Sequence, residues 1–93
     1  MKVQQEDNGN KGEFYIEVNG SRDALMTYTW AGNDKIIIDH TEVGDNLRGQ
    51  GVGYKLVEAS VSFMREKGIK AIPLCPFAKS VFDKKSEYSD VLT

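Results

Sequence analysis

Residues 47–56, LRGQGVGYKL, place three glycines at alternate positions where a helical pattern begins. Glycine within a helix costs roughly 0.5–1 kcal/mol relative to alanine. The glycines are Gly49, Gly51 and Gly53, and the helical spacing of apolar residues starts at Val52. Such a chain needs a bare backbone at this point, either to turn or to let another group come close.

Phosphate is one group that this arrangement suits. A helix N-terminus presents unpaired N–H groups and the positive end of the helix dipole, and both favour anions. Glycines there would let a phosphate approach without meeting a Cβ, and Arg48 would add positive charge. The alternative is a loop that only turns the chain or packs the helix tightly on a sheet. Spacing alone leaves both interpretations open.

Two familiar phosphate loops do not fit these residues. A Walker A loop needs a lysine where this chain has Gln50, and a hydroxyl where it has Gly51. The dinucleotide fingerprint G-x-G-x-x-G fails at its last position, which is Tyr54. Magnesium-nucleotide and dinucleotide binding are therefore disfavoured.

Length and composition limit the class of protein. A chain of 93 residues has no room for a second core, so we expect one domain over residues 1–93, with residues 1–12 poorly ordered. Charges of both signs are interspersed and sum to −2, which argues against a nucleic-acid partner. No apolar run approaches the ~20 residues of a membrane span. A lone cysteine, Cys75, and no signal peptide favour a reduced, cytoplasmic setting.

The residues before the glycines predict an antiparallel meander. β-rich runs lie at residues 13–18, 24–30 and 35–43, separated by Asn19-Gly20, a strong hairpin signal, and by the turn at 31–34. A further short strand is predicted near residues 2–5. Regular alternation along the third run divides it into two faces. One face is predicted to carry Ile36, Ile38, His40 and Glu42, and the other Ile37, Asp39, Thr41 and Val43.

The period changes after the glycines. Apolar residues at helical spacing run from Val52, and Gly68 has the position of a C-terminal cap. A strand is predicted at residues 69–75 and a second, shorter helix from Pro76 or Phe77. A strand–helix–strand crossover makes its two strands parallel. The predicted fold class is therefore α/β: a meander, a crossover helix, a further strand and a short second helix.

A family resemblance gives the glycine loop a specific interpretation. RGQGVG resembles the Arg/Gln-x-x-Gly-x-Gly/Ala acyl-CoA loop of the GNAT N-acetyltransferase superfamily, with Arg48, Gly51 and Gly53 at its fixed positions. IDHTEV before the loop and LCPF after it sharpen the likeness. The chain is similar to the minimal one-domain members of the YjdJ or NATD type, over about residues 13–88.

The resemblance implies acetyl-CoA as co-substrate and an amine as acetyl acceptor. No Cys/His spacing in the sequence suggests a metal site, so we expect no metal. Strands on either side of the crossover helix separate at their ends in this family, and the pantetheine arm lies between them beside Val43. Direct attack of the amine then needs a base, an oxyanion donor and an acid. The implied pyrophosphate ligands are the backbone N–H groups of Arg48, Gly49, Gln50, Gly51, Val52 and Gly53.

Three side chains are candidates for the chemistry. His40 and Glu42 share one strand face and either would serve as a base, although a packed histidine and an exposed carboxylate are also ordinary structural residues. Thr41 is predicted to point the other way and to be structural. Cys75 has three open roles: a nucleophile that takes the acetyl group, an acid that protonates the CoA thiolate, or inert packing.

The chain departs from larger GNAT enzymes in its acceptor half. Those enzymes have extra helices early in the chain and extra strands late in it that hold the acceptor. Here the meander runs directly from strand to strand. Two alternatives to an N-acetyltransferase therefore stay open: a non-catalytic acyl-CoA-binding module, as a sensor or a subunit completed by a partner, and a structural domain. Either a monomer or a homodimer is compatible with the sequence.

Overall fold

One sheet of five strands, in the order in which they occur along the chain, is the framework of the computed structural model, which describes residues 2–93. The strands are β1 (Gln4–Asp7), β2 (Lys11–Val18), β3 (Ser21–Trp30), β4 (Lys35–Val43) and β5 (Lys70–Pro73). The helices are α1 (Val52–Lys67) and α2 (Pro76–Lys84), with short 3-10 segments at Asp45–Leu47 and Ser86–Val91.

The connections confirm the predicted topology. β1 to β4 pair antiparallel in succession, and β4 and β5 pair parallel across the α1 crossover. Asn19 and Gly20 make the β2–β3 turn with positive φ angles, as the hairpin signal requires. The predicted short first strand lies later than expected, at Gln4–Asp7 instead of residues 2–5. None of the helices among residues 2–93 is long and apolar enough to span a membrane.

α1 has the boundaries that its sequence predicts. Gly51 is its N-cap, and Gly68 is its C-cap, with the Gly68 N–H donating to the Met64 carbonyl. Arg65 and Lys67 lie in the last turn, where cations stabilise the dipole. Both helices contribute apolar side chains to one core together with one face of the sheet, and we call this the inner face. The largest fully buried side chains of this core include Tyr28, Ile16, Met26, Ile36, Ile38, Leu56 and Met64.

A β-bulge in β4 overturns the predicted division of that strand into faces. Tyr28 of β3 pairs with Ile38, but the next β3 residue, Thr27, pairs with His40, so Asp39 is an extra residue without a partner. The extra residue shifts the alternation by one position. His40 therefore lies on the outer face, opposite to Ile38, whereas regular alternation would have placed both on the same face.

The residues after the bulge follow this shifted phase. Thr41 pairs with Met26, which is fully buried, and so faces the core instead of pointing away from it as predicted. Val43 likewise pairs with buried Ala24 on the inner face. His40 and Glu42 lie on the same face of β4, as predicted, but that face is the outer one.

β4 and β5 separate beyond the bulge. Their last paired residues are Ile38 and Pro73, and the N–H groups of Leu74 and Cys75 both donate to the Ile38 carbonyl at 3.0 Å. β4 continues to Val43 alongside β3, while the chain after Pro73 turns away into α2. The two strands therefore diverge directly before the glycine loop, and we call the region between residues 39–43 of β4 and residues 74–75 the opening.

Candidate functional site

The glycine loop is open where it meets α1. Gly49 and Gly51 have φ angles of +78° and +71°, a conformation that L side chains rarely adopt. A Cβ placed on either would meet nothing within 4 Å, so the space over this backbone is clear. Among the described residues, no side chain caps the N-terminus of α1, and its first turn has no acidic residue. The first amides of α1 are therefore available to an anion.

Gly53 has a different local role. It is buried, and a Cβ there would lie 2.5 Å from Phe77 Cζ in α2. The absence of a side chain at Gly53 lets α2 pack against the first turn of α1. Val52 is also buried in the core. The sequence left two roles open for the loop, tight packing and phosphate binding. The side-chain positions of Val52 and Gly53 serve packing.

Arg48 lies between the loop and the end of β4. Its Nε is 3.4 Å from the Val43 carbonyl and 3.3 Å from an Asp45 carboxylate oxygen. The Gly44 N–H donates to Asp23 on the β3 side, so the preceding Val43 carbonyl faces the opposite side, toward the opening. The Arg48 side chain is nevertheless 71% exposed, so its guanidinium is accessible to an anion at the loop. The remaining loop residue, Gln50, is exposed, and its amide donates to Asn46.

Cys75 and Thr41 lie on the inner side of the opening. Cys75 Sγ is 3.2 Å from Thr41 Oγ1, and the cysteine is only 4% exposed. Cys75 is also the N-cap residue of α2, and its carbonyl accepts from the Lys79 N–H. The thiol therefore lies where β4, β5 and α2 meet.

His40 and Glu42 lie on the outer face of the same strand. His40 Nε2 is 3.4 Å from Glu42 Oε1, and the two side chains are 60% and 66% exposed. Because the bulge puts them on the face opposite to Thr41, the structure does not bring His40 to the Cys75 thiol. The three candidate residues thus flank the opening from its two sides.

Two cavities adjoin this region. One of about 460 Å³ lies on the β3 side of the end of β4 and is lined by Arg22, Asp23, Ala24, Leu25, Thr41, Glu42, Val43, Gly44 and Arg48. A larger one of about 830 Å³ lies nearer the β1–β2 connection and includes Thr27 and Asp39 in its lining. The smaller cavity is the one that joins the loop arginine to the strand end. Within residues 2–93 no three His, Cys, Asp or Glu side chains converge as a metal site requires.

Sequence reasoning missed Thr41 and the reason for its orientation. Asp39 accepts a hydrogen bond from Thr29 Oγ1 at 2.7 Å, which fixes the extra residue on the outer face. The run IIIDHT contains one usable signal, the charged residue Asp39, which interrupts an otherwise apolar run. That signal does not give the direction of the shift.

Comparison with known proteins decides the family. Residues 13–91 match the family described as GCN5-related N-acetyl-transferase. The chain belongs to this family. It is 32% identical over 74 residues to protein NATD1 of Gallus gallus, covering 78% of this chain and 67% of that protein. The human NATD1 protein is 31% identical over 74 residues, covering 78% of this chain and 66% of that protein.

Solved structures agree with this GNAT assignment. A Staphylococcus aureus protein, described as GCN5-like and determined by NMR, has a TM-score of 0.74 and 42% identity, covering 97% of this chain and 87% of its own. A GNAT family acetyltransferase from Elizabethkingia anophelis, solved with acetyl-CoA bound, has a TM-score of 0.63 at 12% identity, covering 83% of this chain and 53% of its own. That second likeness shows the GNAT fold alone.

Proposed function

We propose that this protein binds acetyl-CoA in the opening between β4 and β5 and transfers the acetyl group to an amine. The observation that carries the proposal is the uncapped N-terminus of α1, with open glycine backbone at Gly49 and Gly51, next to the separated strand ends. Membership of the GNAT family and the acetyl-CoA complex of a fold neighbour support the same ligand.

Each part of the proposed site has a physical role. The first amides of α1 and the Arg48 guanidinium would hold the pyrophosphate, because both offer positive charge and N–H donors. The Val43 carbonyl, which faces the opening, would accept from an amide of the pantetheine arm once Arg48 turns toward phosphate. Val52 and Gly53 would contribute backbone amides only, since Val52 is buried in the core and Gly53 packs against Phe77.

The two sides of β4 would divide the proton transfers. Acetyl-CoA supplies a thioester whose carbonyl carbon an amine attacks. On the outer face, His40 or Glu42 would take the proton from the attacking amine. On the inner face, Cys75 would meet the thioester sulfur, either as the acid that protonates it or as a nucleophile. The opposite positions favour direct attack, because His40 does not lie beside Cys75 to act as its base.

A non-catalytic acyl-CoA-binding module is the second candidate. One observation favours it: β1 and β2 are joined by only Asn8, Gly9 and Asn10, where larger family members are expected to have acceptor-binding helices. As a sensor, such a module would bind acetyl-CoA but would transfer nothing. As a subunit, it would need a partner chain or a second copy to complete the acceptor site.

Titration with acetyl-CoA and CoA, followed by residue-resolved NMR shifts, tests the ligand. Shifts are expected at the loop amides of Gly49 and Gly51, at Val43 and at Cys75, with much weaker effects from ATP and NAD. Comparable binding of ATP or NAD would contradict the acyl-CoA assignment, as would the absence of any shift. Acetyl transfer or acetyl-CoA hydrolysis in a screen of amines then separates an enzyme from a binding module.

A further inference from the structure

We propose that Thr41 is a positioning residue for Cys75, whose hydroxyl fixes the thiol at the head of the opening between β4 and β5. The contact is direct, with 3.2 Å between Thr41 Oγ1 and Cys75 Sγ. It joins two residues 34 positions apart in sequence, one in β4 and the other just after the end of β5, where the two strands separate. The inference rests on the proposed acetyl transfer, in which Cys75 adjoins the thioester.

The bulge is what brings Thr41 to the thiol. In a regular β4 the side chain after His40 would leave the core, because successive residues face opposite sides. Asp39 takes up one extra position, so Thr41 faces inward, opposite Met26. The Thr29 hydroxyl donates to Asp39 at 2.7 Å and holds the bulged residue on the outer face. The Thr29–Asp39 hydrogen bond therefore stabilises the bulged register in which Thr41 meets Cys75.

The chemistry of the pair has a preferred direction. A neutral thiol is a weak donor and a weak acceptor, so either atom can donate when Cys75 is protonated. A thiolate has no proton, and then only the Thr41 hydroxyl can donate. The pair therefore favours the thiolate over a site without a hydroxyl. This stabilisation serves both chemical roles of Cys75. The acid role leaves Cys75 as a thiolate, and the nucleophile role uses the thiolate for attack.

The proton balance in the acid role is simple. The amine attacks the acetyl carbon, the carbon–sulfur bond of the thioester breaks, and its electron pair stays on the CoA sulfur. The Cys75 S–H gives its proton to that sulfur, and the Thr41 hydroxyl then donates to the new Cys75 thiolate. The amine proton leaves to His40, Glu42 or water, and water returns a proton to Cys75.

The test uses the protein's lone cysteine. Thr41→Val keeps the shape of the side chain and removes the hydroxyl, Thr41→Ser keeps the hydroxyl, and Thr27→Val makes the same change on the outer face. Iodoacetamide alkylation of Cys75 is measured by intact mass across pH. Thr41→Val should slow alkylation about two- to tenfold at mildly alkaline pH, as expected for the loss of one hydrogen bond. Thr41→Ser and Thr27→Val should follow the wild-type profile.

A second measurement does not depend on access of the reagent to a buried thiol. The Cβ chemical shift of ¹³C-labelled Cys75 is followed through the same pH range, with the amide spectrum reporting the fold. The Thr41→Val curve should move to higher pH, and Thr41→Ala replaces it if the valine variant does not fold. Superimposable curves for wild type and the hydroxyl-free variant would overturn the role of Thr41.

Acetyl-CoA titration of the wild-type protein separates this inference from the proposed function. If the protein binds acetyl-CoA but the Cys75 curves of wild type and variant superimpose, Thr41 has no positioning role and the proposed acetyl-CoA binding stands. A moved curve in a protein that does not bind acetyl-CoA overturns the proposed function, and with it any positioning role. A moved curve together with acetyl-CoA binding is the result we expect.

Discussion

Gly53 of α1 and Phe77 of α2 are in such close contact that a Cβ on the glycine would lie 2.5 Å from the ring. This contact lets the two helices whose N-termini border the proposed site pack closely against each other. Tyr54, the next residue of α1, also packs edge-on against Phe77, with ring centroids 5.9 Å apart. The loop glycines thus have separate roles, since Gly53 serves packing whereas Gly49 and Gly51 leave the backbone open.

Gly53→Ala is expected to destabilise the fold. Overpacking costs about 1–3 kcal/mol, and the better helix propensity of alanine offsets roughly 0.5–1 kcal/mol of it. Urea unfolding measures the difference. In a Phe77→Leu background the same substitution should cost less, because the ring is gone. Equal costs in both backgrounds would mean that the Gly53–Phe77 contact does not limit the size of residue 53.

Gly51→Asn is expected to weaken acetyl-CoA binding by about tenfold or more, because its side chain would occupy the space of a phosphate. Asparagine tolerates the left-handed backbone of this position. Gly68→Asn is the matched control, since Gly68 has the same φ of +71° and the same open surroundings at the other end of α1. NMR titration gives both affinities. Equal affinities for the two variants would contradict phosphate binding at the loop.

Alanine at His40 or Glu42 is expected to lower the acetyl-transfer rate far more than acetyl-CoA affinity. A positioned acid or base contributes roughly 10²–10⁴-fold to the rate. Acetyl-CoA affinity should change little, because these side chains lie on the face of β4 away from Cys75. Rate and affinity are measured on the same preparations. Glu58→Ala, at an exposed position of α1, is the control. Parallel losses of rate and affinity would instead assign the residue a structural role.

Cys75→Ala separates the three roles of the cysteine. An acetyl adduct on the wild-type protein, seen by intact mass after incubation with acetyl-CoA, would identify the nucleophile. A slower alanine variant without any wild-type adduct would identify the acid. Transfer at the wild-type rate would leave Cys75 as packing, in keeping with its 4% exposure.

Asp7 is expected to make stability depend on acidic pH. Burial raises the pKa of Asp7, but hydrogen bonds from the Tyr28 hydroxyl, the Gly9 N–H and the Trp30 indole outweigh burial, and the net pKa falls below its ordinary value of 3.8. A lowered folded-state pKa stabilises the protein above 3.8, and this contribution is lost as pH falls through the lower value. Urea unfolding across pH should show this loss, and Asp7→Asn should flatten it.

Local patterns in the sequence predicted most of the fold. The β4 boundaries, the span of α1 and the start of α2 at Pro76 all follow from signals carried by neighbouring residues. The facing of Thr41 does not, because a bulge depends on pairing with β3 and on the Thr29–Asp39 hydrogen bond. The Gly53–Phe77 contact could not be predicted from the sequence either, because it joins two helices that meet only in the folded chain.

The bulge also changes what a deletion in β4 would do. Removing one residue from a strand normally turns every later side chain to the other face. Removing Asp39 would instead join Ile38 directly to His40, and the pairs Tyr28–Ile38 and Thr27–His40 would become consecutive. The strand would straighten while Thr41 kept its place beside Cys75. At this position, within a strand in the middle of the sheet, we expect a tolerance to a change in length that proteins usually confine to their loops.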